Sequence, residues 1–189
     1  MGKIIVSQFV TLDGVVEDPG GSEGTPFGGW AFKFNRGAEG DKFKMDEVAA
    51  AEVLLLGRTT YEGFAAAWPG RSGDGFADKM NAMPKYVISR TLQRAEWHNS
   101  TIISGDVARE IAALKQRTSG DILINGSVQL VQALMKERLV NEYRLMVYPV
   151  VLGAGKRLFE PGGEPASLRL VSAQPMGEVL TLIYQPKED

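Results

Sequence analysis

The chain has 189 residues, 44% of them hydrophobic and 23% charged, which suits one globular domain with a substantial core. Lysine and arginine total 21 against 23 aspartates and glutamates, a net charge of −2 that gives no electrostatic footprint for nucleic acid or an anionic membrane. With no cysteine and one histidine, His98, the chain excludes disulfides, thiol catalysis, cysteine-ligated zinc and paired-histidine metal sites, so no metal is expected.

Met1-Gly2-Lys3-Ile4-Ile5-Val6 runs directly into a strand pattern, with no signal peptide expected, and residues 3–10 read as the first strand. No run of about 18 apolar residues occurs, so a cytoplasmic protein is expected. Eight glycines then lie between Gly14 and Gly40. A stretch of that length, about 13–40, is either disordered or a binding lid. Its Trp30, Phe32 and Phe34 either belong to such a lid or seal one edge of the core. Residues 41–51 read as a helix, and Val53-Leu54-Leu55-Leu56 as a strand buried on both faces. Short helices are expected over 59–67 and 74–81, and strands at 86–89 and 101–103. Val107, Ile111 and Leu114 form one helical stripe behind Asp106, a plausible N-cap. A strand at 121–124 precedes a helix marked by Val128, Val131 and Met135. A long strand at 143–152 follows, then a hairpin, 167–173 with 178–184, around Gln174-Pro175-Met176-Gly177. Strand–helix alternation closing in a hairpin predicts a single α/β domain over 1–189, with helices on both faces of a mostly parallel sheet and an antiparallel edge.

Three expected strand ends carry small, polar or basic residues: Gly57-Arg58-Thr59-Thr60, Ser89-Arg90-Thr91 and Asn125-Gly126-Ser127. Ligands of open α/β sheets bind outside the carboxyl ends of the strands, where helix N-termini present free N–H groups. One such junction reads as ordinary capping; three of them, two basic, favour a phosphate-bearing ligand. Gly153-Ala154-Gly155-Lys156-Arg157 imitates a phosphate-binding loop, but Val150 and Arg157 stand where glycine and Ser/Thr are required. It reads as a glycine-rich turn. His98, in a polar connection beside Trp97, reads as solvated.

Thr11-Leu12-Asp13-Gly14, Leu55-Leu56-Gly57-Arg58-Thr59-Thr60-Tyr61-Glu62, Tyr86-Val87-Ile88-Ser89 and Ile124-Asn125-Gly126-Ser127 occur in the order seen in dihydrofolate reductase-like proteins. Residues 139–153 look like the reductase domain of bacterial riboflavin biosynthesis and its stand-alone relatives. The resemblance covers about residues 3–184. It implies the three-layer dihydrofolate reductase-like fold and a reductase using NADPH. Gly57, Arg58, Thr59 and Thr60 then meet the adenosine phosphate and pyrophosphate, Ser89 and Arg90 flank the 2′-phosphate, and Asn125, Gly126, Ser127, Val128, Gln129 and Leu130 hold the pyrophosphate. Phe9 and Val16 line the nicotinamide, and Trp30 and Phe32 suit a flat substrate ring.

The chain also departs from the family. Folate reductases carry an arginine before the strand holding Ser89, where this chain has Asn81-Ala82-Met83-Pro84-Lys85. The spacing of their substrate carboxylate lands nearest Asp41, the candidate catalytic residue. The expected activity is hydride transfer from NADPH to a small conjugated carbonyl or imine in a pterin- or pyrimidine-like ring. The alternatives are reduction of a ribosylamino-pyrimidine phosphate in riboflavin synthesis and a non-catalytic NADP(H)-binding protein. The apolar 143–152 strand and terminal hairpin also predict a homodimer.

Overall fold

The computed structural model describes residues 1–162 and 165–187. In chain order the first half comprises β1 (Lys3–Thr11), a 3₁₀ turn (Trp30–Lys33), α1 (Gly37–Ala50), β2 (Ala51–Gly57), α2 (Arg58–Ala67), α3 (Gly75–Ala82), β3 (Lys85–Ile88) and β4 (Ser100–Ile103). The second half comprises α4 (Val107–Arg117), β5 (Asp121–Asn125), α5 (Val128–Lys136), β6 (Glu142–Tyr148), β7 (Leu168–Met176) and β8 (Val179–Pro186). The sheet order is β4-β3-β2-β5-β1-β6-β8-β7. β4 to β6 run parallel, and β8 and β7 close the sheet antiparallel.

Alternation along β1 decides the layers. Ile4, Val6 and Val10 pack with Ile111 and Leu114 of α4 and Leu130, Val131 and Leu134 of α5. Ile5, on the opposite face, joins Val48 of α1, Tyr61 of α2 and Met80 of α3. Helices on both faces give the three-layer architecture. Asp106 caps α4 as its spacing predicts, its carboxylate accepting from Arg109 N at 3.1 Å. No helix among the described residues is long and apolar enough to cross a membrane.

Three element boundaries differ from expectation. α1 begins at Gly37 because its inward stripe is Gly40, Lys44, Glu47 and Val48, which carries little apolar signal. β6 stops at Tyr148, immediately before Pro149, whose nitrogen has no hydrogen to donate. The hairpin turns at Gly177, with φ 59, leaving Pro175 inside β7. β7 is an edge strand, which tolerates a residue without an N–H.

The glycine-rich stretch is folded around Asp18, itself left-handed at φ 49. Its Oδ1 accepts from Glu23 N at 3.0 Å, and its Oδ2 accepts from Thr25 N at 3.1 Å and Thr25 Oγ1 at 2.9 Å. Burial pushes this carboxyl up, but those donors outweigh burial and hold it below the usual range. Gly28 fits only as glycine, since a Cβ there would overlap Asp18 Oδ2. A second fastening joins residues 11–16 to 150–158. Asp13 accepts from Gly153 N at 2.8 Å and Leu152 N at 3.2 Å, and Arg157 Nε donates to Asp13 O at 2.8 Å. The glycine-rich turn at 153–157 is therefore a clasp for the first loop; an isolated bridge, Val15 with Arg157, follows it rather than a helix.

Candidate functional site

The carboxyl ends of β2 and β5 are neighbours in the sheet and are stitched together by side chains. Gly57 N donates to Ser127 Oγ at 2.8 Å, and Ser127 N donates to Thr60 Oγ1 at 2.9 Å. Gln8 Nε2 of β1 donates to Gly126 O at 2.5 Å, fixing the third strand to the same point. Gly126 and Ser127 are both left-handed, at φ 66 and φ 56. A Cβ on Gly126 would crowd the Thr60 side chain at 3.1 Å on a left-handed backbone, so glycine favours the close approach of these ends.

The clasp occupies the Gly57 and Ser127 amides and leaves the helices behind them open. Neither α2 nor α5 has a side-chain cap bond. The first N–H groups of each, from Arg58, Thr59 and Thr60 and from Val128, Gln129 and Leu130, have no acceptor within their own helix. Two uncapped helix N-termini thus lie side by side, an arrangement that attracts phosphate oxygens. β3 ends next to β2, with Ile88 opposite Gly57. Ser89 Oγ is turned inward there, accepting from Leu92 N at 2.9 Å and Thr91 N at 3.2 Å. Arg90 is exposed and makes no ion pair among the described residues. Arg58 pairs with Glu62 at 3.0 Å, half exposed on α2.

Beside the clasp, a cavity of about 430 Å³ separates the first turns of α2 from the glycine-rich loop. Thr59, Thr60, Glu17, Glu23 and Lys156 line it. Glu17 pairs with Lys156, and its hydrogen bond holds the ammonium above the usual lysine range. Burial and then the Asp18 charge raise the Glu23 carboxyl. A larger groove of about 1070 Å³ lies between α2, α3 and residues 92–99, away from the strand ends. Lys85 is fully buried and donates to Asn81 O, Met83 O and His98 O at 2.7, 2.9 and 3.0 Å. His98 itself is exposed.

On the α1 side, Phe9 is half-buried at the end of β1. Its ring meets Tyr148 edge-on at 5.3 Å, with Phe34 against Tyr148 at 6.1 Å. The Arg36 guanidinium lies 5.6 Å from the Phe9 ring and Lys44 Nζ 5.3 Å from it. Asp41 stands on the first turns of α1, 66% exposed at the side chain, and accepts from Arg36 Nε at 2.6 Å. Burial pushes the Tyr148 hydroxyl up, while Arg36 opposes the shift.

The structure brings Gly57, Thr60, Gly126 and Ser127 together and sets Arg90, Phe9 and Asp41 around them at separate strand and helix ends. Three expected contacts are placed elsewhere. Trp30 is 0% exposed, its Nε1 bonded to Glu17 O at 2.9 Å and its ring packed on Tyr148, so it has no surface to offer a substrate. Phe32 is 77% exposed on the outside of the loop. Val16 is buried in the core against the α4–α5 layer. Arg36 and Lys44 gave no signal in the sequence, and Lys156 stood out only within a turn that imitates a phosphate-binding loop, because each comes from a segment whose path depends on tertiary contacts. Among the described residues, no group of three or more His, Asp or Glu could hold a metal ion.

A model of the RibD C-terminal domain matches residues 2–182. The uncharacterized protein YwjB of Bacillus subtilis (strain 168) is 30% identical over 182 residues, covering 96% of this chain and 97% of the relative. Among solved structures, a putative riboflavin biosynthesis protein from Shewanella sp. PV-4 superposes with a TM-score of 0.75 at 21% identity, covering 98% of this chain and 99% of that one. Dihydrofolate reductase from Enterococcus faecalis, complexed with NADP(H), has a TM-score of 0.59 at 14% identity, covering 99% and 98%. The fold is therefore dihydrofolate reductase-like.

Proposed function

Because the chain belongs to the RibD C-terminal domain family, we propose that it is an NADPH-dependent reductase acting on a small conjugated carbonyl or imine in a pterin- or pyrimidine-like ring. The observation that carries this reading is the Gly57–Ser127–Thr60 clasp, which sets two uncapped helix N-termini beside each other. That donor set fits the phosphates of a dinucleotide. When bound, the cofactor supplies the hydride.

The chain's own residues bind, orient and shield. The first N–H groups of α2 and α5 take the pyrophosphate. Arg90, with no competing carboxylate, takes the 2′-phosphate, and Arg58 assists once it leaves Glu62. Phe9, at the end of β1, borders the nicotinamide and the substrate ring, and the glycine-rich loop held by Asp18 excludes water from the reacting atoms. Asp41 with Arg36 forms the charged rim of that recess. Two experiments test the reading. Calorimetry should show NADPH binding, and NADPH oxidation should occur with at least one member of a panel of pterins, pyrimidines and quinones. Tight binding with no oxidation across the panel would favour a non-catalytic NADP(H)-binding protein. Turnover confined to a ribosylamino-pyrimidine phosphate would identify a riboflavin-pathway reductase.

The proposal extends to a homodimer. Register places Leu170, Ala173, Pro175 and Leu180 on one face of β7 and β8, where all four are exposed. The irregularity at Val171 and the proline hinder edge-to-edge pairing, so the face is the surface offered to a second copy.

A further inference from the structure

A buried ion pair lies beneath Phe9 that neither phosphate binding nor core packing requires. Lys44 and Glu47 occupy the sheet-facing side of α1, with side chains 11% and 1% exposed. Lys44 Nζ donates to Glu47 Oε2 at 2.5 Å and to Ser7 Oγ at 2.7 Å, and Ser7 Oγ donates to the same carboxylate oxygen at 2.9 Å. Glu47 Oε1 is buried without a hydrogen-bond partner, and Arg144 Nη1 stands 3.8 Å from it. Removing two charges from water is costly, and an apolar pair of similar volume would generally serve stability as well or better.

The geometry also leaves one bond unmade. An ammonium has three N–H donors. Ser7 and Glu47 use two, and Nζ lies 5.3 Å from the Phe9 ring centroid. Glu47 is sealed, whereas Lys44 keeps its residual exposure. The cation is thus held from below, on a side chain that is 11% exposed.

We propose that Lys44 is the group that meets the reducible ring, its third N–H donating to a ring carbonyl oxygen conjugated with the atom that receives hydride. This inference rests on the reductase reading. Hydride addition brings two electrons and one hydrogen to the C=N or C=C carbon, and charge moves onto the conjugated oxygen. A fixed cation there stabilises that charge as it develops. Lys44 keeps its own protons, and water supplies the proton that completes the reduction after the hydride has transferred. Ser7 and Glu47 are positioning residues that hold the ammonium in place. The ligand class is a flat, neutral or anionic heterocycle bearing a carbonyl.

The probe is lumazine, a 2,4-dioxopteridine, titrated calorimetrically into the protein with NADP⁺ present and again without it. Wild type should bind it, and Lys44→Met should weaken binding about tenfold to a hundredfold, the equivalent of one charge-assisted hydrogen bond. NADPH affinity should be unchanged in that variant. Since Lys44→Met leaves the buried Glu47 charge with only Ser7 and the longer Arg144 pairing at 3.8 Å, the double variant Lys44→Met/Glu47→Met provides the folded control: it should be at least as stable as wild type and equally poor at binding lumazine. Equal lumazine affinity in wild type and the double variant, or no lumazine binding by wild type, would overturn the proposal. Failure of wild type to bind NADPH would instead overturn the reductase reading, and the cofactor-free titrations would still report on Lys44.

Discussion

Ser127 accepts the Gly57 amide at 2.8 Å across two neighbouring strand ends while its own backbone sits at φ 56, in the left-handed region. The hydroxyl that begins α5 therefore caps β2 instead of its own helix. Ser127→Gly tests this directly, because glycine keeps the left-handed backbone conformation and removes the hydroxymethyl group that carries the Oγ. A half-buried N–H left without its acceptor costs about 1–3 kcal/mol. For a chain of this size each kcal/mol corresponds to about 2–4 °C in Tm, so a fall of several degrees is expected by calorimetry. NADPH affinity should fall with it, since the two helix N-termini lose their fixed spacing.

NADPH should bind more tightly than NADH, with Arg90 the main source of the preference. A charge-assisted hydrogen bond contributes roughly 1.5–3 kcal/mol, which is about tenfold to a hundredfold in Kd. Arg90→Ala should remove most of the preference, and Arg58→Ala a smaller part, because Arg58 is paired with Glu62. Equal dissociation constants for the two cofactors in wild type would defeat this prediction.

The Asp13 clasp predicts an acid limit to stability. The Thr11 hydroxyl, joined by the Gly153 and Leu152 amides, lowers this carboxyl from 3.8 to about 2, against burial, which counters by more than either amide contributes. The folded value lies below the unfolded one. The stabilisation is therefore complete above about pH 4 and is lost as pH falls through about 2. Urea unfolding between pH 5 and 2 should show Asp13→Asn losing its deficit relative to wild type as the solution is acidified. A deficit independent of pH would show that the charge is not what holds the loop.

Dihydrofolate should be turned over slowly. The segment where folate reductases carry an arginine contains Lys85, and that side chain is fully buried, facing three backbone carbonyls and the Trp97 ring. It cannot reach a glutamate tail in solvent. Its role is structural, and Lys85→Met should destabilise the protein by about 2–4 kcal/mol through the stranded carbonyls. A kcat/KM for dihydrofolate at or above about 10⁴ M⁻¹s⁻¹ would contradict the first expectation.

The homodimer is checked by sedimentation at micromolar concentration. Wild type should sediment above its 20.6 kDa chain mass, and Leu180→Asp should return it to that mass. Wild type at 20.6 kDa would remove the apolar face of β7 and β8 from consideration as an interface.

Local chemistry in the sequence determined the strand–helix alternation, the Asp106 cap and the three strand ends that converge on the candidate phosphate site. Each is written in neighbouring residues: β-branched runs, a 3.6-residue stripe, a glycine after a strand. Pairings across long sequence distances were decided only by the tertiary structure. Thr11-Leu12-Asp13-Gly14 reads as a motif, yet its carboxylate works on amides at Gly153 and Leu152, which no local pattern can specify. Trp30, Phe32 and Phe34 are equivalent as a sequence, but the Asp18 turn buries the first, exposes the second and half-buries the third. The Lys44–Glu47 pair was invisible for the same reason. Charged residues at helical spacing ordinarily mark a solvated face, and only the sheet laid against α1 turns that face inward and places its cation beneath Phe9.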